Sequence, residues 1–416
     1  MEISEDVVIV GAGIAGLATA LALKRVGVRS LVLEKSPELR ATGAAISLLS
    51  NGWIALNHLG VAHKLTSTSP PTSKGFVTNV ANGATQEVSY TGVQQIQGNK
   101  NEHRMVHRKA LLEALAEELP PGTIRFSSKL ISIHTHITHE GFSIATLQLD
   151  DGTIIKAKVL VGCDGLHSVV AQWLGLKAPV HCGRVAVRGL AVFPQGHGFK
   201  QEFQQFVKPG VKAAFVPIND KDLYWYMNYH SSSTGEEFGG DPKLILREVK
   251  ENLAKDFPPT FLEVVWHADL SSIHWAPLMY RQPWDVIWGH LSKGNVTVAG
   301  DAMHPMTPGL GQGGGSALED AVVLGRHIGN SFLQNGRRIM PAEVDRTIKG
   351  YVKERRWRAS GLITASYLAG WAQHVKSGWL TKLIRDIIFY KLLYSFIFGS
   401  TYFDCGELPR VPSKVE

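Results

Sequence analysis

One stretch of the chain combines a carboxylate with an unusual amount of bare backbone. It spans residues 298–321 and has the sequence VAGDAMHPMTPGLGQGGGSALEDA. Asp301 precedes a glycine-rich run at 309–315, and helix-forming residues follow that run. Glycine loses more backbone entropy on folding than other residues, so such a run indicates close approach of a ligand or positive φ angles. A helix that begins there would point free N–H groups at an electron-rich ligand.

A second glycine pattern lies near the start of the chain, in DVVIVGAGIAGLATALALKRVGVRSLVLEKS. The residues predict a strand over 6–10, a helix over 15–25 and a second strand over 30–34. GxGxxG between a strand and a helix allows a tight turn, close approach to a pyrophosphate and close helix packing. Glu34 stands where an acid holds the ribose of an adenine dinucleotide. The pattern serves NAD and FAD alike, so it leaves the cofactor open.

Two further motifs make the pattern more specific. VGCDGLHSVV, at 161–170, places Asp164 after a hydrophobic strand, and AGDAMHP, at 299–305, places Asp301 in the same way. Together with GxGxxG and GQGGGSALEDA, they resemble the class A flavoprotein monooxygenases, the aromatic hydroxylase and epoxidase family, over nearly the whole chain. Within that family the chain is similar to plant monooxygenases akin to zeaxanthin epoxidase and salicylate hydroxylase. The resemblance implies FAD as the cofactor and NAD(P)H as the co-substrate.

The resemblance assigns the adenosine and pyrophosphate half of FAD to the first glycine loop and its neighbours. Glu34 takes the adenosine ribose, and the backbone of Leu130 meets the adenine. The positions that face the pyrophosphate are Gly11, Gly13, Ala15 and Gly16.

The resemblance also assigns the flavin half of the cofactor. Arg108 reaches the cofactor from the start of its helix, Asp164 is associated with FAD and NAD(P)H, and Asp301 binds the ribityl chain. Reduced flavin is negatively charged near N1 and O2, and a helix N-terminus without side chains stabilises that charge. The backbone N–H groups assigned to this edge belong to Gly311, Gly313 and Gly314.

The substrate side is less defined. Pro308 corresponds to a family position near the substrate. Tyr224, Tyr226 and Asn228 alternate along a strand and share one face. That face either lines a pocket or packs a sheet, and both interpretations stay open.

Two residues depart from the family pattern: Ala171, and Gly315, which stands where many relatives have Asn. Two polar residues have a structural interpretation by default. Ala171 replaces the arginine that usually follows the DG motif, which predicts altered nicotinamide-cofactor handling or an altered local fold. His304 and Arg188 are polar candidates near the site that are interpreted as structural. No catalytic residue and no metal ligand is assigned, because the flavin carries the chemistry.

The elements that must position these residues predict an α/β protein. It has a doubly wound, Rossmann-like FAD-binding domain, a mostly antiparallel β-sheet substrate domain and a helical C-terminal region. VAVRGLAVF, AAFVPI and LYWYMNY supply β-formers in the middle of the chain. The predicted FAD-binding segments are 1–74, 101–179 and 281–335, the substrate segments are 75–100 and 180–280, and the helical region is 336–416.

Composition excludes several classes of protein. The 416 residues are 44% hydrophobic and 19% charged, and the chain has 3 cysteines, too few for a disulfide framework. The first strand begins almost at once, so we expect no signal peptide and a cytoplasmic protein. The net charge of +7 arises in 336–416, which has 14 Lys and Arg against 7 Asp and Glu. Because the remainder is balanced, we expect no nucleic-acid partner.

The tail contains GWLTKLIRDIIFYKLLYSFIF at 378–398, with apolar residues at helical spacing. The favoured interpretation is a helix packed across the two domains. The alternative is peripheral contact of these C-terminal helices with an anionic membrane surface.

The function predicted from the resemblance is a monooxygenase that uses NAD(P)H and O2. It hydroxylates or epoxidises an electron-rich small molecule through a flavin C4a-hydroperoxide. Two alternatives stay open: a flavin-dependent reductase or desaturase without oxygen transfer, and a non-catalytic scaffold with a flavin fold. The resemblance does not identify the substrate.

Overall fold

The computed structural model describes residues 2–40, 44–89, 103–231, 240–372 and 402–411. The strands are β1 (Glu2–Val10), β2 (Leu31–Leu33), β3 (Ala45–Leu48), β4 (Lys74–Asn79), β5 (Thr85–Ser89), β6 (Arg104–His107), β7 (Ile124–Arg125), β8 (Leu130–Ile137), β9 (Ser143–Leu149), β10 (Ile154–Gly162), β11 (Val180–Val192), β12 (Glu202–Lys208), β13 (Val211–Pro217), β14 (Asp222–His230), β15 (His274–Tyr280), β16 (Ser292–Lys293) and β17 (Val296–Val298). The α-helices are α1 (Ile14–Arg25), α2 (Ser50–Leu59), α3 (Ala62–Thr66), α4 (Arg108–Ala116), α5 (Val169–Trp173), α6 (Pro242–Glu248), α7 (Pro259–Trp266), α8 (Pro283–Ile287), α9 (Gly313–Gln334) and α10 (Pro341–Ala372). Short 3₁₀ turns cover Leu270–Ser272, Gly300–Ala302 and Pro308–Leu310, and a π turn covers Val249–Leu253.

The first sheet has the strand order β16-β17-β10-β1-β2-β7, and β9 and β8 extend it beside β10. β17, β10, β1, β2 and β7 pair in parallel. Val7, Val8 and Ile9 of β1 have 0% exposure, because a parallel sheet is covered on both faces. α1 is buried from Ile14 to Leu23 and packs between this sheet and α9. The predicted parallel strand that precedes Asp301 is confirmed as β17.

The second sheet has the order β15-β11-β14-β13-β12-β4-β5. Its pairs are antiparallel except β12 with β4. Trp225 and Met227 of β14 have 0% exposure and join a core with Phe261 of α7. Tyr224 and Tyr226 alternate with them and therefore lie on the opposite face. One face of this sheet therefore packs on α7, and the other carries Tyr224, which packs with Met105 of β6. β6 pairs with β3 in a separate two-stranded sheet.

Two predicted elements have different bounds in the structure. The strand predicted over 30–34 is Leu31–Leu33, and the backbone N–H of Glu34, just after it, still donates to the carbonyl of Arg125 in β7 at 2.9 Å. The helix-forming residues KALLEALAEE predict a helix over 109–118, and in the structure it is Arg108–Ala116. It ends early because the N–H of Leu119 bonds back to Ala116 and Pro120 follows.

The last described residues pack against α9. Side-chain atoms of Leu408 and Pro409 lie 3.3 and 2.9 Å from the positions that Cβ atoms on Gly325 and Gly329 of α9 would take. The predicted amphipathic stretch at 378–398 lies outside the described residues, so its packing and its membrane contact stay predictions. Among the helices that are described, none combines the length and the apolar character that a membrane span requires.

Candidate functional site

The first glycine loop follows β1 and reaches the N-terminus of α1. Gly11 has φ +102°, and a Cβ there would lie 2.5 Å from the carbonyl oxygen of Cys163. A Cβ on Gly16 would lie 1.9 Å from the carbonyl oxygen of Gly11. A Cβ on Gly13 would have no atom within 4 Å. Gly11 and Gly16 are therefore required by backbone packing, whereas Gly13 faces open space at the N-terminus of a helix.

Glu34 closes this loop from the end of β2. The residue is 7% exposed, and its Oε2 accepts a hydrogen bond from the N–H of Ala12 at 2.9 Å. Its Oε1 accepts one from the N–H of Ser36 at 2.9 Å, and the Arg40 guanidinium lies 3.7 Å away. The carboxylate oxygens have further lone pairs, so Glu34 can hold the loop and still accept from a ribose hydroxyl.

The side chain of Ala15, predicted at the pyrophosphate, points away from the loop. It is 8% exposed, and its Cβ lies 2.7 Å from the position that a Cβ on Gly300 would take. Gly300 has φ +61° and lets the turn after β17 approach α1. Only the backbone of Ala15, in the first turn of α1, is available to a ligand.

Asp301 projects from that same turn. Its neighbours Gly300 and Ala302 are buried, but Asp301 is exposed. The strand β17 is buried on both sides, and the turn at its carboxyl end therefore brings this carboxylate to the edge of the sheet, near the first glycine loop. This is the position where open α/β sheets bind their ligands.

Arg108 faces Asp301 from the start of α4. Burial lowers the pKa of Arg108, the Asp301 carboxylate raises it, and the Arg188 guanidinium lowers it further. The Nε atom of Arg108 is buried and has no hydrogen-bond partner in the described part of the chain. A buried guanidinium N–H without an acceptor is unusual in a folded protein and indicates a missing ligand atom.

The glycines of the second run, at 309–315, differ in their backbone conformation and in their hydrogen bonds. Gly311 has φ +64°, and its N–H donates to the carbonyl of Pro308 at 3.1 Å. The 3₁₀ turn uses this N–H for its own hydrogen bond, and the contact of Gly311 with the flavin stays a prediction. Gly313 and Gly314 are the first two residues of α9. Their N–H groups have no acceptor within the helix, because no helical carbonyl precedes them by one turn.

The two glycines at the start of α9 differ in their surroundings. The nearest atom to a Cβ on Gly313 would be Cγ of Met306 at 4.0 Å. A Cβ on Gly314 would lie 2.1 Å from Cδ1 of Ile46, and one on Gly315 would lie 2.8 Å from Nδ2 of Asn51. Gly313 thus borders open space, whereas Gly314 and Gly315 are small because β3 and α2 pack against them.

The Asp164 carboxylate stabilises the turn between β10 and α5 in which it lies. Its carboxylate accepts hydrogen bonds from the Ser168 hydroxyl and from the N–H groups of Val169 at 2.7 Å and Val170 at 3.3 Å. Burial raises its pKa. This carboxylate caps α5, which makes it a structural part of the loop beside Gly11 and leaves fewer of its lone pairs for the predicted FAD and NAD(P)H contacts.

Two other predicted positions lie in the hydrophobic core around the first sheet. Ala171, which replaces the family arginine, is 3% exposed, and its N–H donates to the Ser168 hydroxyl at 2.8 Å. A longer side chain would have to leave this core. Leu130 is 5% exposed at the start of β8, so only its backbone could meet an adenine ring.

The substrate candidates lie on β14 of the second sheet and on the 3₁₀ turn before α9. The Tyr224 and Tyr226 rings are 6.0 Å apart between centroids. Tyr224 packs with Met105 of β6, and burial raises its pKa while Arg188 lowers it. Pro308 is exposed at the start of its 3₁₀ turn.

A buried charge network supports the turn of Asp301 from behind. The Asp320 carboxylate lies 2.6 Å from Nε2 of His304 and accepts hydrogen bonds from the Gly300 N–H at 2.8 Å and from Nε of Arg355 at 2.6 Å. The Arg355 guanidinium also lies 2.6 Å from Glu319. Burial alone would lower the pKa of His304, but Asp320 outweighs it and holds that pKa above its usual value. The local sequence does not predict this network, although the adjacent acids in GSALEDA are a visible signal.

The same network reaches the residue before α9. Nδ2 of Asn51 donates to Gln312 at 2.8 Å and to Glu319 at 2.6 Å. Gln312 is 1% exposed and precedes the first residue of α9. The turn of Asp301 and the start of α9 are therefore fixed by one set of buried polar contacts.

These parts form one elongated site. Two helix N-termini, at Gly13 and Gly313, border open space, and Asp301 lies at the edge of the first sheet. Arg108, at the start of α4, is close enough to Asp301 for that carboxylate to raise its pKa. Helix N-termini suit a pyrophosphate and an anionic ring edge, and a carboxylate suits hydroxyl groups. The residues present fit a flavin adenine dinucleotide.

Known proteins are similar to this chain in sequence and in fold. A family model described as FAD binding domain matches residues 4–366. The chain is 42% identical over 413 residues to Monooxygenase 2 of Arabidopsis thaliana, with coverage of 97% of this chain and 98% of that protein. It is 36% identical over 416 residues to Monooxygenase 1 of the same plant, with coverage of 97% and 99%. The crystal structure of Klebsiella pneumoniae HpxO complexed with FAD and uric acid has the same fold, with a TM-score of 0.79 at 22% identity. The match covers 95% of this chain and 96% of the HpxO chain.

Proposed function

Because the chain belongs to the FAD-binding family of class A flavoprotein monooxygenases, we propose that it oxygenates an electron-rich small molecule with NAD(P)H and O2. The observation that carries the proposal is the open space at Gly13 and at Gly313, each at a helix N-terminus, with Asp301 at the same edge of the sheet. Uric acid, which the HpxO structure contains, is an electron-rich heterocycle of the class proposed here.

The chemistry that bound FAD supplies in this family is acceptance of a hydride from NAD(P)H and delivery of one oxygen atom from O2. The chain's own residues bind and orient. Gly13 lets the α1 N-terminus approach the pyrophosphate, Asp301 accepts from ribityl hydroxyls, and Arg108 donates to the cofactor. The N–H groups of Gly313 and Gly314 stabilise negative charge on the ring edge.

We also propose the division of the chain that the sequence suggested. The first sheet and its helices form the FAD-binding domain, and β4, β5 and β11–β15 form the substrate domain. The substrate ring would then lie between the start of α9 and the face of Tyr224 and Tyr226.

The experiment that tests the function uses purified protein reconstituted with FAD. We expect a yellow protein that oxidises NAD(P)H faster with an electron-rich aromatic substrate and that transfers label from ¹⁸O2 into the product. NAD(P)H oxidation without label in any product would favour the reductase or desaturase. A colourless protein that binds no FAD would favour the scaffold.

Replacing Asp301 with Ala should weaken FAD binding while the protein stays folded. The carboxylate is exposed at the turn after β17 and should form a charge-assisted hydrogen bond worth about 1.5–3 kcal/mol. FAD titration of the apoprotein, followed by flavin fluorescence, measures the loss. Asp345→Ala, on the surface of α10, is the matched control. Equal FAD affinity in folded Asp301→Ala and in the control would contradict the assignment.

Replacing Gly313 with Val should weaken FAD binding roughly 10- to 100-fold, which is about 1.4–2.7 kcal/mol. The valine would project into the open space beside the ring edge, whereas the apoprotein has room for it. Gly314→Ala should instead change FAD binding little and lower the stability of the apoprotein by about 1–3 kcal/mol, because its Cβ would meet Ile46. Thermal unfolding of both apoproteins and FAD titration separate the two effects. Unimpaired FAD binding by Gly313→Val would place the flavin elsewhere.

A further inference from the structure

Three tryptophans on α8 and α10 are exposed to an unusual degree. Trp284, Trp288 and Trp357 expose 50, 75 and 67% of their surface. The N–H of Trp288 donates to the carbonyl of Trp284 at 2.9 Å, so these two indoles lie one helical turn apart on the same side of α8. Large apolar side chains that are exposed together, rather than singly, mark a surface that contacts a partner or a membrane.

The two helices that carry these tryptophans are joined by hydrogen bonds. The Arg356 guanidinium of α10 donates to the carbonyl of Gly289 at 3.2 Å. A second bond, from a serine hydroxyl of α10, reaches the carbonyl of the first residue of α8 at 2.9 Å. Trp357 follows Arg356 and Trp288 precedes Gly289, so the packing brings both indoles to the same part of the surface. We call the surface formed by Trp284, Trp288 and Trp357 the tryptophan patch.

Cations border the tryptophan patch on α8 and α10. The Lys177 side chain is 75% exposed, and its ammonium lies 3.3 Å from the carboxylate of Asp285, the residue after Trp284. Lys353 is exposed one helical turn before Trp357. The acid in that turn, Glu354, is paired with two cations of α9 instead. The border of the patch is therefore positively charged.

The same character continues onto α5 and β16. A Cβ on Gly289 would lie 3.0 Å from Cδ2 of Leu176, which places the residues after α5 beside the end of α8. Trp173 of α5 is partly exposed, and the ammonium of Lys293 in β16 lies 5.2 Å from the centroid of its ring. A cation over an indole thus extends the combination of exposed indoles and cations along this side of the molecule.

This combination distinguishes between possible occupants of the surface. Tryptophan suits the boundary between a membrane and water, because its ring is apolar and its N–H is polar. Lysine and arginine beside it are attracted by anionic lipid headgroups. A second copy of this chain fits less well, because a two-fold interface would bring the cations of both copies together.

We infer that the tryptophan patch docks on an anionic membrane surface. The indoles lie at the depth of the headgroups, and Lys177, Lys293 and Arg356 lie near the lipid phosphates. The inference goes beyond the proposed function and does not depend on the substrate. It also differs from the membrane contact predicted for residues 378–398, because it needs none of those residues.

The test sediments the FAD-loaded full chain with vesicles of phosphatidylcholine, either alone or with about a third of phosphatidylserine. We expect binding to the vesicles that contain phosphatidylserine, and binding at least about 10-fold weaker to phosphatidylcholine alone. Salt at about 0.5 M should weaken the binding, because it screens exposed charges. The double variant Trp284→Ser, Trp288→Ser should bind at least about 10-fold more weakly than wild type, since affinity scales with the apolar area inserted.

A matched control exists on the second sheet's helices. Trp266 of α7 is 66% exposed, and the Lys250 ammonium lies 3.9 Å from the centroid of its ring. Trp266→Ser should bind vesicles as wild type does, because this tryptophan lies outside the patch. Lys177→Gln combined with Lys293→Gln should lose most of the preference for phosphatidylserine.

Two further measurements exclude misfolding as the cause of a loss. Thermal unfolding and FAD content should equal those of wild type in every variant. A brominated phosphatidylserine should quench the tryptophan fluorescence of wild type and of Trp266→Ser more than that of the double variant. A merely structural role of the tryptophans would not produce that difference.

Four outcomes would overturn the inference. The first two are no sedimentation of wild-type protein with either vesicle, and equal binding to both vesicles. The third is equal binding by the double variant and by Trp266→Ser, which would assign the membrane contact to other residues. The fourth is dimerisation of wild type without lipid that the double variant lacks, which would assign the patch to a second copy. None of these readouts uses NAD(P)H oxidation, so the proposed function and this inference can fail independently.

Discussion

Replacing Arg355 with Met should lower the free energy of unfolding by about 3–5 kcal/mol. Arg355 has 0% exposure and lies 2.6 Å from both Asp320 and Glu319, which are also fully buried. Methionine fills a similar volume but leaves part of the charge on these two carboxylates uncompensated in the core. The cost comes from that unpaired charge, because an intact buried ion pair contributes little net stability.

Urea denaturation of wild-type and variant protein measures this change. Lys349→Ala, which removes an exposed ion pair with Asp345 on the same helix, should change the free energy of unfolding by no more than about 0.5 kcal/mol. Adding Asp320→Asn to Arg355→Met should recover part of the loss, since one carboxylate is then neutral. A loss for Arg355→Met no larger than that of the surface control would show that the buried network is not ionised as described.

Replacing Gly16 with Ala should destabilise the fold by about 4 kcal/mol or more. The new Cβ would lie 1.9 Å from the Gly11 carbonyl oxygen, and both belong to backbone that α1 and β1 hold in place. Neither atom is the flexible end of a side chain, so α1 must move away from the loop. Thermal unfolding and the yield of soluble protein measure the effect.

Gly13→Ala is the matched control for Gly16→Ala, from the same loop. No atom lies within 4 Å of its Cβ, so the apoprotein should unfold at nearly the wild-type temperature. FAD binding should weaken, because the methyl group occupies the space of the pyrophosphate. Equal stability of the two apoproteins would contradict the packing described at Gly16.

The features that the sequence predicted correctly depend on neighbours along the chain. The strand, glycine loop and helix at 6–25 follow from hydrophobic runs and from φ requirements within a few residues. The alternation of Tyr224 and Tyr226 with Trp225 follows from the two-residue period of a strand. The parallel strand before Asp301 was visible as a short apolar run.

The features that could not be predicted depend on residues far apart in the chain. Glycine at position 314 is explained by Ile46, and the hydrogen bond between Asn51 and Glu319 joins residues 268 positions apart. No local rule shows which side chain will occupy that space. The hydrogen bond from the Gly311 N–H to Pro308 likewise depends on a 3₁₀ turn, which the glycine-rich sequence alone does not predict.

The first sheet also constrains the order of events during synthesis. β1 pairs with β10, and β10 pairs with β17, so the central strands of one sheet are made at residues 2–10, 154–162 and 296–298. At about 5–20 residues per second, a ribosome needs roughly 15–60 seconds between the first and last of them. Leu408 and Pro409 emerge later still and cover Gly325 and Gly329 of α9. During translation β1 can pair early with β2, but its other neighbour β10 and the helix α9 that packs on α1 come much later. We therefore expect the nascent chain to depend on chaperones that shield these apolar surfaces until the last strand is made.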